Sequence, residues 1–164
     1  MRISTTRFGE ISIDESKVIR MKEGMLGFEH LKRYKLIIQG EKIPFWWFQS
    51  VEDGSIAFVV INSLAVKQDY KPVISNAEAK ILEIGSPDDV VLLSVVTIRS
   101  DPFNVTANLK APIVVNPKKL LAKQIVLVDS DYSVQYPIGD NSSVLQEKKK
   151  EEIFPSLQKI GHAL

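Results

Sequence analysis

Two histidines, His30 and His162, are the only imidazole side chains in this sequence that could act as a general base or a metal ligand. Such a histidine needs a carboxylate or a second histidine at ligand spacing, and neither position has one. Cysteine is absent, which excludes disulfides, thiolate nucleophiles and cysteine-based zinc sites. The sequence therefore predicts neither a metal centre nor covalent catalysis by cysteine.

Glycine and acidic motifs are the next candidates for chemistry. Gly24-x-x-Gly27 lacks the Lys-Ser/Thr pair and the following helix that a phosphate-binding loop requires. No Gly-x-Ser-x-Gly motif of a serine hydrolase occurs. Asp129-Ser130-Asp131 is similar to the start of a calcium loop but lacks the later Gly and Glu. We interpret it as a turn whose carboxylates accept hydrogen bonds from backbone N–H groups. We therefore expect a protein that is not an enzyme and needs no cofactor.

An aromatic segment at residues 45–50, FWWFQS, is the strongest candidate for recognition. In a strand, Phe45 and Trp47 would face one side, and Trp46 and Phe48 the other. Such a strand is either buried on both faces or presents one aromatic face to a partner. Base stacking is the third possibility, but no basic residue occurs between Lys42 and Lys67 to hold a nucleic-acid backbone.

Composition limits the classes of partner. The 164 residues carry 21 basic and 20 acidic side chains, a formal net charge of +1, so no bulk field attracts nucleic acid or an anionic membrane. The first residues show no signal-peptide pattern, and the longest apolar stretch, residues 90–98, is too short to span a bilayer. These features predict a cytoplasmic protein that binds neither nucleic acid nor membrane directly.

Short β-branched and aromatic runs between turn residues predict a mainly β fold. One helix begins at Ser75, where Ser75 and Glu78 form a capping box, and ends at Gly85. Pro112 cannot donate to a strand ladder, so it predicts an edge, break or bulge. We expect a small, partly closed antiparallel β-barrel with one short helix. The predicted strands cover residues 2–7, 11–13, 17–21, 34–39, 45–51, 56–61, 88–98, 105–109, 112–116, 124–128 and 133–136.

The sequence changes character after Ile138, which divides the chain into a barrel domain, residues 1–138, and residues 139–164. The second part begins with a linker-like stretch and continues with a mixed charge run, EKKKEE, at residues 147–152. A near-helical apolar stripe then predicts a short helical C-terminal tail. The stripe consists of Phe154, Leu157, Ile160 and Leu164.

Several short blocks follow one another along residues 1–138. The most specific are TANLKAPIVVN at 106–116 and DSDY at 129–132. The others are Phe8-Gly9, EGMLGFE at 23–29, PFWWFQS at 44–50, AFVV at 57–60, Asp69-Tyr70 and Gln124. In this order and at this spacing, the blocks resemble the FliW family of flagellar assembly factors.

The resemblance implies a partner-switching protein. FliW-like proteins bind flagellin and antagonise the translational repressor CsrA, so that flagellin synthesis is coupled to export. In the family this antagonism is regarded as noncompetitive with RNA. A tail that occupied the flagellin groove in cis would predict tighter flagellin binding after deletion of residues 140–164.

Contact residues are predicted among polar and aromatic groups near these blocks, for each of which a role in turns or core packing is an equal alternative. They are Phe45, Trp47, Asp69, Tyr70, Asn108, Lys110, Asp129 and Tyr132. We expect a monomer. Two rival interpretations stay open: a nucleic-acid-binding barrel that uses the aromatic strand, and a barrel resembling flavin-binding split barrels.

Overall fold

The structure is a computed structural model that describes residues 1–39, 44–100 and 103–138. These residues form eleven strands, two short α-helices and two 3-10 helices, Glu15–Lys17 and Pro87–Asp89. The strands are β1 (Arg2–Thr5), β2 (Gly9–Ser12), β3 (Ile19–Met21), β4 (Arg33–Ile37), β5 (Trp46–Ser50), β6 (Ala57–Asn62), β7 (Val91–Ser100), β8 (Phe103–Ala107), β9 (Ile113–Asn116), β10 (Leu121–Gln124) and β11 (Tyr136–Pro137). The helices are α1 (Ser63–Val66) and α2 (Asn76–Ile81). The predicted linker and helical tail, residues 139–164, lie outside the described residues.

Seven strands close a barrel in the order β3-β4-β5-β6-β7-β9-β10, with β10 paired back to β3. All of these pairs are antiparallel except β3–β10, where Leu121 lies opposite Arg20. The prediction of a mainly β small barrel is confirmed. It was wrong in expecting partial closure and only antiparallel pairs, because β10 turns back along β9 and reaches the free edge of β3.

Alternate residues along the strands point inward, and their side chains fill the barrel. In β5, Trp46 and Phe48 are completely buried, whereas Trp47 between them is half-buried on the outer face. Tyr34 of β4 stacks on Phe48, with ring centroids 4.4 Å apart and planes 4° from parallel. Parallel aromatic stacking and burial of this kind account for much of the core energy, because each aromatic side chain removes about 150–250 Å² from water.

The ten-residue strand β7 pairs with β9 through its first part and with β8 through its last. Ala107 lies opposite Val96 and Ile113 opposite Leu93, so residues 108–112 bulge opposite only two residues, 94 and 95. Pro112 lies in this bulge, where its missing N–H costs no ladder bond. The predicted break at Pro112 is confirmed.

Two predicted strands differ from the structure. Residues 124–128 were expected as a strand, but the regular strand is β10, which ends at Gln124. β11 shares only Tyr136 with the predicted 133–136 strand. The Ile125 and Leu127 N–H groups donate to the carbonyls of Pro112 and Lys110, on the bulge. Because the bulge is not a regular strand, the segment that follows β10 and bonds to it does not form a regular strand either.

The predicted N-cap of α2 is confirmed, since the Ser75 hydroxyl accepts a 3.1 Å hydrogen bond from the Glu78 N–H. The Glu78 carboxylate, which would complete a capping box, instead accepts a 2.7 Å hydrogen bond from the Lys123 ammonium. The helix stops at Ile81, before the predicted end at Gly85, and Glu83 takes a positive φ of 55°. Helix α1 was not predicted. It is capped by Asn62, whose side chain accepts a 3.0 Å bond from the Leu64 N–H directly after β6.

Candidate partner-binding surfaces

Three separate segments of the chain meet at Tyr70. Tyr70 is 2% exposed, and its phenol donates a 2.7 Å hydrogen bond to the carbonyl oxygen of Leu109. The Tyr70 ring contacts the Tyr132 ring edge-on, with centroids 4.7 Å apart. The Tyr132 hydroxyl in turn accepts a 3.0 Å bond from the Lys71 N–H. Burial raises the pKa of Tyr70, so its phenol stays a neutral donor.

Asn108 and Lys110 hold the bulge between β8 and β9. The Asn108 side-chain oxygen accepts 3.0 Å hydrogen bonds from the N–H groups of Lys110 and Ala111. The Lys110 ammonium donates to the carbonyl oxygen of Ser130 and, at 3.5 Å, to that of Val128. These polar groups are used inside the protein, so the structure supports architectural roles for both residues.

Asp69 and Asp129 are exposed on loops beside this cluster. Asp69 forms a 3.0 Å salt bridge with Lys67, which lowers the pKa of the Asp69 carboxyl. The predicted turn at Asp129 is confirmed. The side-chain hydrogen bond found in this turn is not the predicted one to an aspartate carboxylate, because it is the Ser130 hydroxyl that donates to the Leu127 carbonyl at 2.8 Å. Tyr70, Asn108, Lys110 and Tyr132 therefore form one connected unit, with the two aspartates at its surface.

Phe45 and Trp47 lie elsewhere, at and before β5. The Trp47 ring is covered by the Arg7 guanidinium, 4.3 Å from the ring centroid, and meets Phe8 edge-on at 5.9 Å. Phe45 is half-buried against the main core. Since Trp46 is completely buried, Trp47 is the tryptophan that an approaching partner could touch. The eight predicted residues thus belong to two surfaces.

An apolar groove of about 550 Å³ opens beside Tyr70, between α1, α2 and the start of β7. Its lining includes Leu64, Pro72, Ile74, Ile84 and Leu92, and Leu64 is 45% exposed. Sequence reasoning missed these residues, apart from Tyr70 on the wall. Each is an ordinary aliphatic side chain, and only the topology brings their four segments together.

Lys123 of β10 fixes the α2 wall of this groove. Its ammonium lies 2.7 Å from the Glu78 carboxylate and 3.4 Å from that of Glu23, and its side chain is 11% exposed. The hydrogen bond to Glu78 is the main cause that raises the pKa of Lys123. The ion pair with Glu78 ties α2 to the barrel, and the ion pair with Glu23 ties the barrel strand β10 to the loop that follows β3.

No group of three or more His, Cys, Asp or Glu side chains that could hold a metal ion occurs within residues 1–39, 44–100 and 103–138. His30 is exposed on a loop, and His162 lies outside these ranges. Over the same described ranges, helices long and apolar enough to cross a membrane are absent.

Comparison with known proteins identifies the family. The family model described as FliW protein matches residues 2–138. A flagellar assembly factor FliW of Syntrophus aciditrophicus is 49% identical over 145 residues, 88% of this chain and 92% of the relative. The Geobacter sulfurreducens protein of the same name is 46% identical over 143 residues, 87% and 89% of the two chains.

A solved structure has the same fold. The crystal structure of a flagellar assembly factor FliW superposes with a TM-score of 0.78 at 34% sequence identity, covering 84% of this chain and 96% of that one. The residues that the family model matches, 2–138, include the barrel, the bulge and the blocks on which the sequence resemblance rests. This chain therefore belongs to the FliW family.

Proposed function

We propose that this chain is a flagellar assembly factor that acts by partner switching, binding flagellin and antagonising the translational repressor CsrA. Flagellin held in the cell occupies the protein and leaves CsrA free to repress. Export of flagellin releases the protein, which then captures CsrA, so that flagellin synthesis resumes. Membership of the FliW family supports this proposal.

The apolar groove beside Tyr70 is the observation that carries the proposal. An amphipathic helix binds by placing apolar residues of one face into such a groove. Leu64 at the rim and Ile74 and Ile84 in the wall offer that apolar surface, while Lys71 adds a charge at the edge. We assign the groove to a terminal helical segment of flagellin.

Switching requires that flagellin and CsrA bind with unfavourable coupling. If flagellin excludes CsrA, a flagellin concentration about 100 times its own dissociation constant weakens apparent CsrA binding about 100-fold. The connected unit of Tyr70, Asn108 and Lys110 joins the groove to the bulge. It provides a physical route for coupling if the two partners use different faces.

The direct test is calorimetric titration of the purified protein with CsrA from the same cell, repeated in the presence of flagellin. We expect binding that flagellin abolishes. Leu64→Gln should weaken flagellin binding about three- to tenfold, since Leu64 is 45% exposed and burial of that fraction is worth about half of the 1.5–3 kcal/mol of a whole aliphatic side chain. Val126→Gln is the matched control, because Val126 is 43% exposed and lies outside the groove.

Absence of heat with both partners, from a folded sample, would refute partner switching. Equal losses of flagellin affinity in Leu64→Gln and Val126→Gln would instead refute the groove as the flagellin site, without contradicting partner switching. We also infer that the protein is a cytoplasmic monomer that binds its partners without catalysing a reaction. Light scattering of the isolated protein tests the monomer.

A further inference from the structure

A basic cleft lies on the outer face of β3 and β4, apart from the groove and from Trp47. It measures about 500 Å³ and is lined by Glu15, Ser16, Val18, Arg20, Arg33, Lys119 and Leu120. We propose that this cleft binds an acidic segment of a protein partner through Arg20, Arg33 and Lys119.

Arg20 and Arg33 lie directly opposite each other on adjacent antiparallel strands. The Arg20 N–H donates to the Leu120 carbonyl, and the Arg33 N–H donates to the Glu52 carboxylate. Neither N–H therefore bonds to the opposite arginine. In such a non-hydrogen-bonded pair the Cα atoms approach to about 4.5 Å and the side chains are closest. Two like charges placed this way destabilise a sheet unless an anion lies between them.

Lys119 enters the cleft from the turn before β10, and its position is fixed. The Asn116 side-chain oxygen accepts hydrogen bonds from the N–H groups of Lys118 and Lys119, at 3.1 and 3.3 Å. Leu120 then adopts a positive φ of 54°, a conformation that costs a non-glycine residue about 1–2 kcal/mol. Backbone strain of this kind is often found at binding sites.

The cations of the cleft outnumber its acids. Glu15 is the one carboxylate in the lining, and it lies 3.8 Å from Arg33 with a side chain that is 65% exposed. Among the described residues, neither the Arg20 guanidinium nor the Lys119 ammonium forms a salt bridge. Three cations therefore face one exposed carboxylate, which leaves a local charge that a second anion can neutralise.

The residues that line the cleft favour carboxylates on a protein over a nucleic acid. Paired arginines bind carboxylates in a bidentate, geometrically defined way. A nucleic-acid site would need a longer basic track and aromatic rings for stacking, and no aromatic residue lines this cleft. The near-neutral chain as a whole also offers little attraction for a polyanion.

The test is an NMR titration of the full chain with an acetylated, amidated hexaglutamate peptide, in low salt and again at about 0.15 M salt. We expect saturable shifts at residues 20, 33 and 119 that weaken with salt. Arg20→Gln and Arg33→Gln should each weaken binding about fivefold. Glu15→Gln should tighten it. Lys80→Gln is the charge-matched control, on the exposed surface of α2.

Thermal unfolding separates binding from folding. Because Arg20→Gln removes a like-charge contact and, among the described residues, no salt bridge, its midpoint in the absence of peptide should not fall. An equal loss of affinity in Lys80→Gln would overturn the proposal, because binding would then depend only on net charge. An RNA oligonucleotide of equal charge, or inorganic phosphate alone, that saturates the same residues more tightly than the peptide would also overturn it.

Discussion

The Tyr70 phenol and the Leu109 carbonyl oxygen, 39 residues apart in the chain and 2.7 Å apart in space, join the segment after α1 to the bulge before β9. The hydrogen bond is buried between two residues that are 2% and 0% exposed. Tyr34 presents the opposite case. Its hydroxyl is buried inside the barrel and has no hydrogen-bond partner among the described residues.

Substitution by phenylalanine should affect the free energy of unfolding differently at the two tyrosines. Tyr70→Phe should lower the free energy of unfolding by about 1–2 kcal/mol, because it leaves the buried Leu109 carbonyl without a donor. Tyr34→Phe should leave stability unchanged or raise it by up to about 1 kcal/mol, because it removes an unpaired buried hydroxyl. Urea unfolding of both variants measures the difference. Equal destabilisation would mean that the hydrogen bond to Leu109 contributes nothing specific.

Tyr34 also predicts a loss of stability at alkaline pH. Burial raises the pKa of Tyr34 to about 12, from an ordinary value near 10 in the unfolded chain. Below pH 10 the Tyr34 phenol is neutral in both the folded and the unfolded chain, so its ionisation does not lower the free energy of unfolding. As pH rises from about 10 to 12 the unfolded chain loses this proton first, so the free energy of unfolding falls.

The measurement is urea unfolding between about pH 8 and 12, with Tyr34→Phe as the reference. The variant should lose less stability than the parent above pH 10, because the lysines and other tyrosines titrate in both proteins. Identical pH profiles would show that the Tyr34 phenol titrates with the same pKa in the folded and unfolded chains.

Much of the barrel could be predicted because its elements are local. The alternation in β5, the Ser75 cap and the ladder break at Pro112 each follow from a few neighbouring residues. Closure could not be predicted, since the parallel β3–β10 pair joins segments about a hundred residues apart and leaves no local pattern.

The candidate sites could also be predicted only in part from the sequence. Sequence blocks singled out Tyr70, Asn108 and Lys110 as contact residues, and in the structure their polar groups are used within the fold. The groove and the basic cleft were missed, because an exposed Leu64 or a cross-strand pair of Arg20 and Arg33 becomes visible only when strand register is known.

Asn108 predicts a test of whether a family block is architectural. Asn108→Ala should lower the free energy of unfolding by about 1–2 kcal/mol, because the N–H groups of Lys110 and Ala111 lose their shared acceptor. Asn108→Asp keeps an oxygen in that position and should retain most of the stability. Hydrogen exchange at the two amides is the measurement. Equal protection in the alanine variant and the parent would exclude the capping role.

Gly54 predicts how firmly the β1–β2 hairpin is held over Trp47. The Thr6 N–H donates to the Gly54 carbonyl at 3.1 Å, and a Cβ added at Gly54 would lie 1.8 Å from the Ser4 carbonyl oxygen. Gly54→Ala must therefore displace the hairpin, and we expect it to cost more than about 2 kcal/mol. Gly85→Ala is the matched control, because nothing lies within 4 Å of its added Cβ.

Tryptophan fluorescence at low temperature, where both variants remain folded, reports the displacement. Trp47 should lose the cover of Arg7 and Phe8 and shift its emission to longer wavelength in Gly54→Ala, while the buried Trp46 contributes a constant background. Gly85→Ala should keep the parent spectrum. Indistinguishable spectra and stabilities for the two variants would show that the hairpin does not pack against Gly54. The cover of Trp47 by Arg7 and Phe8 would then have to be held by contacts other than those with Gly54.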